Sequence, residues 1–389
     1  MSHIVFSIMP MFVCLFWVVL LLIDKQCSNL SKRFLAFFLT LSIINYFTHA
    51  LFFNHEYELY TRFDSIWCFT SLAGYPLYYY YIRLLTRDTK IEWKWLWLIF
   101  PSLILAGYST VLYLLMSPEE VNIFIHGVMY HESGFEVPYP TLVELQVFRL
   151  ILFKIIFVVQ VALVVYFGRK HILDYNAKIK DFYSDTGGKD LTPIKWLLIL
   201  FIFASFISLI SSLIGKDYFV MYPMLLAIPS VTHSLFLFGI GYYGHKQNFT
   251  IEDFQKELDK PEKMEDRENQ HTQFVKDRES HLMILLGKKE IFTNPDLRIT
   301  ELASMLNTNR TYASRLFNEI FHANFADTIN KYRTEKAKNL MSVKANAYLS
   351  LEDIMTMSGF ASESSFYRSF KKETGMSPGD FRKSLGSSS

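Results

Sequence analysis

Long apolar runs fill residues 1–245, and from residue 246 the chain turns polar and charged. Seven of the runs reach the length of about 20 residues that a helix needs to cross a bilayer. They lie at 4–23, 34–53, 66–85, 95–115, 147–167, 196–213 and 219–242. The first is not a secretory signal, because no Lys or Arg precedes it and no small-residue cleavage site follows. The next stretch, 247–280, carries six basic against ten acidic residues. Ile251, Phe254 and Leu258 predict one short amphipathic helix there, and Pro261 interrupts it. Helical spacing resumes at Leu282, Ile284 and Leu285, then Ile291 and Phe292. The pattern therefore predicts an all-α chain in three parts: a seven-span domain (1–245), a charged linker (246–280) and a polar helical domain (281–389).

The polar domain contains one unit twice. In the second copy, 350–382, Ser350 is placed to cap a short helix, with Glu352 and Asp353 suiting its N-terminal end. Gly359 supplies the freedom of a sharp turn. Phe366 and Phe370 fall four apart and face inward, leaving Ser364, Ser365, Tyr367, Arg368, Lys371 and Lys372 on the other faces. The first copy spans 298–332. Glu301-Leu302 matches Asp353-Ile354, Asn307 stands where Gly359 stands, and Arg315-Leu316-Phe317 matches Arg368-Ser369-Phe370. Asn309 is placed to cap the second helix of this copy. The segment joining the copies, 329–341, reads as one long helix. A helix with an inward aromatic pair and outward hydroxyls and cations suits a DNA major groove.

These repeats, their spacing and the Gly375-Met376-Ser377-Pro378 turn before Phe381 resemble the tandem helix-turn-helix domain of AraC/XylS-family transcription regulators. Arg333, Glu335 and Ala337 match that family's connecting helix. The resemblance covers residues ~281–385, a single-domain length. It implies two reading heads held about one DNA turn, roughly 34 Å, apart. It implies base contacts from Thr311, Ser314 and Arg315 in the first copy, and from Glu363, Ser364, Tyr367 and Arg368 in the second. Arg310 joins the groove-facing side. Arg315 and Arg368 suit bidentate bonds to guanine, with helix-surface salt bridges as the plainer use. Lys371 and Lys372 suit phosphates, which position without specifying. Ser365 and Tyr367 depart from the family's habits, as does Asn307-Thr308 in the first turn, so no target DNA sequence carries over. From Lys288 onward there are 15 basic and 11 acidic residues. That balance permits phosphate contacts without identifying a DNA binder.

Charge also orients the apolar half. The odd-numbered loops carry twelve Lys and Arg, the even-numbered loops only Arg62 and Lys216. Cationic loops stay in the cytoplasm. The N-terminus is thereby expected outside and the polar domain inside a bacterial inner membrane, in the compartment that holds DNA. Ionisable side chains within spans are costly and point to function. His49, Arg149, Lys154 and His233 are thus candidates for an outward-facing site for an anionic or polar signal, with snorkelling of Arg149 and Lys154 to headgroups as the alternative. The loop at 117–146 has no Lys or Arg, but carries Glu119, Glu120, Glu132, Glu136 and Glu144 with His126 and His131. That spacing is too loose for a metal site. Tyr78 to Tyr81 read as an interfacial belt. Pro76, Pro223 and Pro229 would bend spans three and seven. Cys14, Cys27 and Cys68 read as small apolar fillers.

Enzymatic chemistry is not expected. The chain has no His-Glu-x-x-His, no Gly-x-Ser-x-Gly and no phosphate-cradling Gly loop. No catalytic residue, metal site or cofactor is expected. The expected partners are double-stranded promoter DNA, the lipid bilayer and a small-molecule or peptide signal. RNA polymerase and a second copy of the chain are further partners that such a regulator admits. A transporter-like protein with a regulatory DNA-binding tail is the alternative, and the lack of evident inverted repeats weighs against it.

Overall fold

A computed structural model describes residues 2–23, 29–135, 137–186, 189, 191–247, 249–258 and 273–386. Its regular elements are all helical. They form two compact units, residues 1–173 with 191–254, and residues 174–190 with 255–389.

The first unit opens with α1 (Ser2–Ile23), α2 (Leu30–Phe53) and α3 (Tyr57–Thr86). The Asn29 side chain accepts from Ser31 N and so caps α2. A 3₁₀ turn, Trp93–Ile99, runs into α4 (Phe100–Leu115). Next come α5 (Pro118–Asn122), started by a Ser117–Glu120 capping box, and a π-helical stretch, Ile123–Met129. Then follow α6 (Thr141–Phe182), α7 (Thr192–Ile214) and α8 (Lys216–Met221), and a 3₁₀ turn at Pro223–Leu226 leads into α9 (Ala227–Lys246). α1 packs on α2 and α9, α2 on α3, α3 on α4, and α7 on α9.

Six segments among the described residues are long and apolar enough to cross a membrane; they include α1, α2, α4, most of α6 and α7, and the segment from Pro223 onward through α9. The third expected span lies in α3, which is long enough but more polar, with Glu58, Arg62, Asp64 and Arg83. α3 hides part of that polarity inside the protein: Asp64 and every residue from 76 to 86, Arg83 included, are buried, while Glu58 and Arg62 pair with each other on an exposed face. Tyr78 to Tyr81 are therefore interior groups rather than a belt. Tyr79 Oη lies 3.2 Å from His171 Nε2, and Tyr80 Oη accepts from Glu92 N at 2.9 Å.

Two boundaries differ from the sequence pattern. The fifth span was expected to end at 167, yet α6 runs 42 residues to Phe182, about 63 Å at 1.5 Å per residue. No Gly or Pro falls between 169 and 182 to stop it. Tyr175, Ile179 and Phe182 form a buried stripe at helical spacing in the second unit. The seventh span was expected to be continuous from 219, but the chain breaks at Tyr222 before Pro223. Proline disfavours the α conformation in the residue preceding it, and Tyr222 has φ −120° and ψ 73°. Pro76 lies inside α3, while Pro229 sits in the first turn of α9. Cys14 and Cys68 are buried, and Cys27 lies outside the described residues, as does Pro261.

α10 (Ile251–Leu258) matches the expected short helix of the linker. The second unit then contains α11 (Gln273–Gly287) and a 3₁₀ turn at Ile291–Thr293. The first repeat is α12 (Ile299–Met305) and α13 (Arg310–Phe321), and α14 (Phe325–Ser342) is the connecting helix. The second repeat is α15 (Leu351–Met357), α16 (Glu363–Thr374) and α17 (Pro378–Gly386). α14 packs on α13 at one end and on α15, α16 and α17 at the other. It thereby fixes both repeats to one rod.

Candidate DNA-reading surface and apolar cavity

Each repeat is built the same way. In the first, Leu302, Ala303, Leu306, Ala313, Leu316 and Phe317 are buried, and Phe317 meets Phe325 of α14 edge to face at 5.3 Å. In the second, Ile354, Phe360, Phe366, Phe370 and Ala337 form the core, with Phe381 packed against it. The turns adopt the left-handed backbone expected of them, at φ 49° for Asn307 and φ 89° for Gly359. The second helix of each repeat is capped by a side chain. Asn309 Oδ1 accepts from Tyr312 N at 2.9 Å, and Ser362 Oγ accepts from Ser365 N at 3.4 Å. Ser350 and Asp353 complete a capping box on α15. Hydrogen bonds from the Ser350 hydroxyl and amide hold the Asp353 carboxyl below its ordinary range.

Eight of the ten expected DNA-contact residues are exposed: Thr311, Arg315, Glu363, Ser364, Tyr367, Arg368, Lys371 and Lys372; Arg310 and Ser314 are half-buried.

 Of these, Tyr367 sits at the margin, 37% exposed with its ring edge-on to Phe366. Ser365, expected on an outer face, is instead buried, on the same side of α16 as Phe366, Ser369 and Phe370. Arg315 Nε donates to Glu319 Oε1 at 2.7 Å on the same exposed face. Exposed pairs of this kind are worth little, so Glu319 does not lock Arg315 in place. Lys372 Nζ lies 2.9 Å from Asp327 Oδ1. Burial of Asp327 opposes its ionisation, but Lys372, joined by Lys180 and the Asn324 hydrogen bond, more than offsets this and holds the carboxyl below its ordinary range.

The sequence places Arg333 on the connecting helix but not its partners, and it gives no signal for the roles of Arg278 and the segment 183–186. Arg333 of α14 is fully buried and donates to Phe292 O at 2.7 Å, Asn294 O at 2.7 Å and Ser184 Oγ at 3.1 Å. Burial pushes its guanidinium down to about 10, against the pull of Asp185 and Asp296. Arg278 of α11 donates to Asn307 O at 2.5 Å and so grips the first turn. The segment from 183 to 186 is buried on the same unit: Ser184 N donates to Leu297 O at 3.2 Å, and Arg368 donates to Thr186 Oγ1 at 3.3 Å. None of these partners is near in sequence, so no local pattern marks them.

The first unit holds a partly open cavity of about 370 Å³, lined mainly from α1, α2, α3, α6, α7 and α9, with Met129, His131 and Asp217 also on its wall. Of the four expected ligand residues, His49, Lys154 and His233 line it together; Arg149 does not. Arg149 is fully buried, and its guanidinium donates to Asp64 Oδ2 at 2.7 Å. Asp64 also accepts from Tyr60 Oη at 2.8 Å and Tyr113 Oη at 3.0 Å. Arg149 therefore has a partner in the protein interior rather than snorkelling. Asp64 was overlooked because it stands just before the third apolar run. In the loop, His126 pairs with Glu132 at 3.0 Å, and His131 lies 3.6 Å from Asp217. No cluster of potential metal ligands occurs among the described residues. Glu136 lies outside them.

A helix-turn-helix domain model matches residues 302–384. Over 88 residues the chain is 33% identical to the raffinose operon transcriptional regulatory protein RafR of Pediococcus pentosaceus. Over 89 residues it is 29% identical to the Msm operon regulatory protein of Streptococcus mutans. Each of these matches covers 23% of this chain and 31% of the relative. An uncharacterized HTH-type transcriptional regulator of Bacillus subtilis, YtdP, is 30% identical over 87 residues, 22% of this chain and 11% of the relative. The chain thus spans less than a third of the length of these relatives. Its C-terminal residues form a helix-turn-helix domain of the AraC type.

Proposed function

We propose that this chain is a membrane-embedded, one-component transcription regulator. The observation that carries the reading is the pair of helix-turn-helix units on one connecting helix, each with its polar face exposed. In this reading Thr311, Ser314, Arg315, Glu363, Ser364, Tyr367 and Arg368 read base edges, with Arg310 beside them. Lys371 and Lys372 hold phosphates. α3 is the third of seven spans, with Asp64 and Arg83 paired inside the protein, and the twelve-to-two excess of Lys and Arg in the odd loops keeps the C-terminal half inside. The cavity lined by His49, Lys154 and His233 receives the signal. Its occupancy changes the packing of the spans, and the change reaches the DNA-binding half.

The layout is tested by cysteine labelling in a Cys27→Ser background. Glu119→Cys is expected to react with a membrane-impermeant maleimide in intact spheroplasts. Tyr348→Cys, at an exposed site in the second unit, is expected to react only after lysis. Labelling of Tyr348→Cys in intact spheroplasts would contradict the orientation.

A further inference from the structure

We infer that the cavity of the first unit takes a small amphipathic monoanion, with its charged head on Lys154 and its apolar body among aromatic rings. The inference rests on the reading of this unit as the sensor.

The wall supports an apolar body. Trp67 stacks on Phe153 at 5.0 Å, and Tyr75 meets Phe157 and Phe201 edge to face at 5.0 and 5.9 Å. Phe201 and Phe236 approach to 5.5 Å. All of these residues line the cavity. Pockets for small molecules are built this way, mostly apolar with a few placed polar groups.

The polar groups narrow the head. The Trp67 indole can only donate, and it donates to His49 Nε2 at 3.0 Å, so that nitrogen carries a lone pair and the ring is neutral. His233 Nδ1 lies 2.7 Å from Pro229 O and must carry the proton, while Nε2 lies 2.8 Å from Ser208 Oγ. Both nitrogens of His233 are thus used within the protein. Asn45 accepts from Ser71 at 2.5 Å. Asp217 also lines the cavity, with 27% of its side chain exposed, and has His131 3.6 Å away as its partner. Lys154 remains. Among the described residues no carboxylate comes within ion-pair distance of it. A cation in an apolar setting is costly unless paired, and a ligand anion supplies the missing partner. A second negative charge on the ligand would have no such partner and would be buried uncompensated. A cationic ligand would face Lys154. A single anionic charge satisfies both conditions.

The test uses one ten-carbon series on the full chain in zwitterionic nanodiscs: decanoate, decanol, decanedioate and decyltrimethylammonium, each radiolabelled, with empty discs as the background. Decanoate is expected to bind saturably at one site, and the other three at least about tenfold more weakly. Lys154→Met is expected to lower decanoate affinity to that of decanol, while Lys154→Arg retains it. The arginine variant guards against mere misfolding of the methionine variant. No saturable decanoate binding, equal binding of decanol or decyltrimethylammonium, or unchanged decanoate binding in Lys154→Met would overturn the inference. Promoter occupancy in cells separates the two readings. A chain that occupies promoters but ignores decanoate loses only the ligand class, whereas a chain that binds decanoate but occupies no promoter loses the regulator reading.

Discussion

Asp64→Ala is expected to be the most damaging single change in the first unit. It removes the carboxylate that accepts from Arg149, Tyr60 and Tyr113 at once. Arg149 then stays fully buried with its charge uncompensated. Breaking a buried pair from one side costs about 3–5 kcal/mol, because the remaining charge has lost its partner but not its burial. Arg149→Met leaves a carboxylate that still has two hydroxyl donors, so it is expected to cost less. Removing both charges in Asp64→Leu/Arg149→Met is expected to recover most of the loss, since apolar replacement of a buried pair is often neutral. Thermal unfolding of the three variants in one detergent measures this order. A double variant as unstable as Asp64→Ala would show that the site depends on the tyrosine hydroxyl bonds rather than on the ion pair.

The second large effect is expected at Gly359. Its φ is 89°, and a Cβ placed there would stand 2.5 Å from Thr293 Cα and 2.6 Å from Phe292 O. Both neighbours are backbone atoms and cannot swing aside. They are held in turn by Arg333, which donates to Phe292 O and Asn294 O. Gly359→Ala therefore combines a strained backbone with an overpacked contact, together roughly 2–6 kcal/mol. The matching turn of the first repeat behaves differently. Asn307 already carries a side chain at φ 49°, so Asn307→Gly is expected to change stability by about 1 kcal/mol or less. Hydrogen exchange of the α15 and α16 amides in the full chain reads both. Unaltered protection in Gly359→Ala would mean that the turn moves away from Thr293 at little cost.

The two halves were legible to different degrees, for physical reasons. Turns, caps and inward aromatics are local, so Ser350, Asn309, Gly359, Phe366 and Phe370 could be placed from spacing alone. Apolar runs likewise mark helices that shun water. Burial of one particular small polar residue is not local, and Ser365 was misplaced for that reason. The continuation of α6 past residue 167 was hidden because cations such as Arg169 and Lys170 look like a loop, though nothing there breaks a helix. Partners far apart in sequence were the least legible: Asp64 with Arg149, Arg333 with Ser184, and the meeting of His49, Lys154 and His233 around one cavity. Each is set by packing of whole helices. Three of the four candidate ligand residues still share the cavity. Isolated polar groups in apolar helices turn toward the protein interior, which brings them together without any pattern along the chain.

Genome-wide DNA occupancy tests the central claim most directly. It would be mapped in cells carrying the wild-type chain or the Arg315→Ala/Arg368→Ala variant, each confirmed in the membrane fraction. The account predicts discrete promoter peaks for the wild type that vanish in the double variant, because each arginine removes a bidentate base contact worth about 1–3 kcal/mol. Peaks that persist unchanged in a folded, membrane-located double variant would contradict the assigned reading surface. A wild-type chain without discrete peaks, even across growth conditions, would contradict the regulator itself.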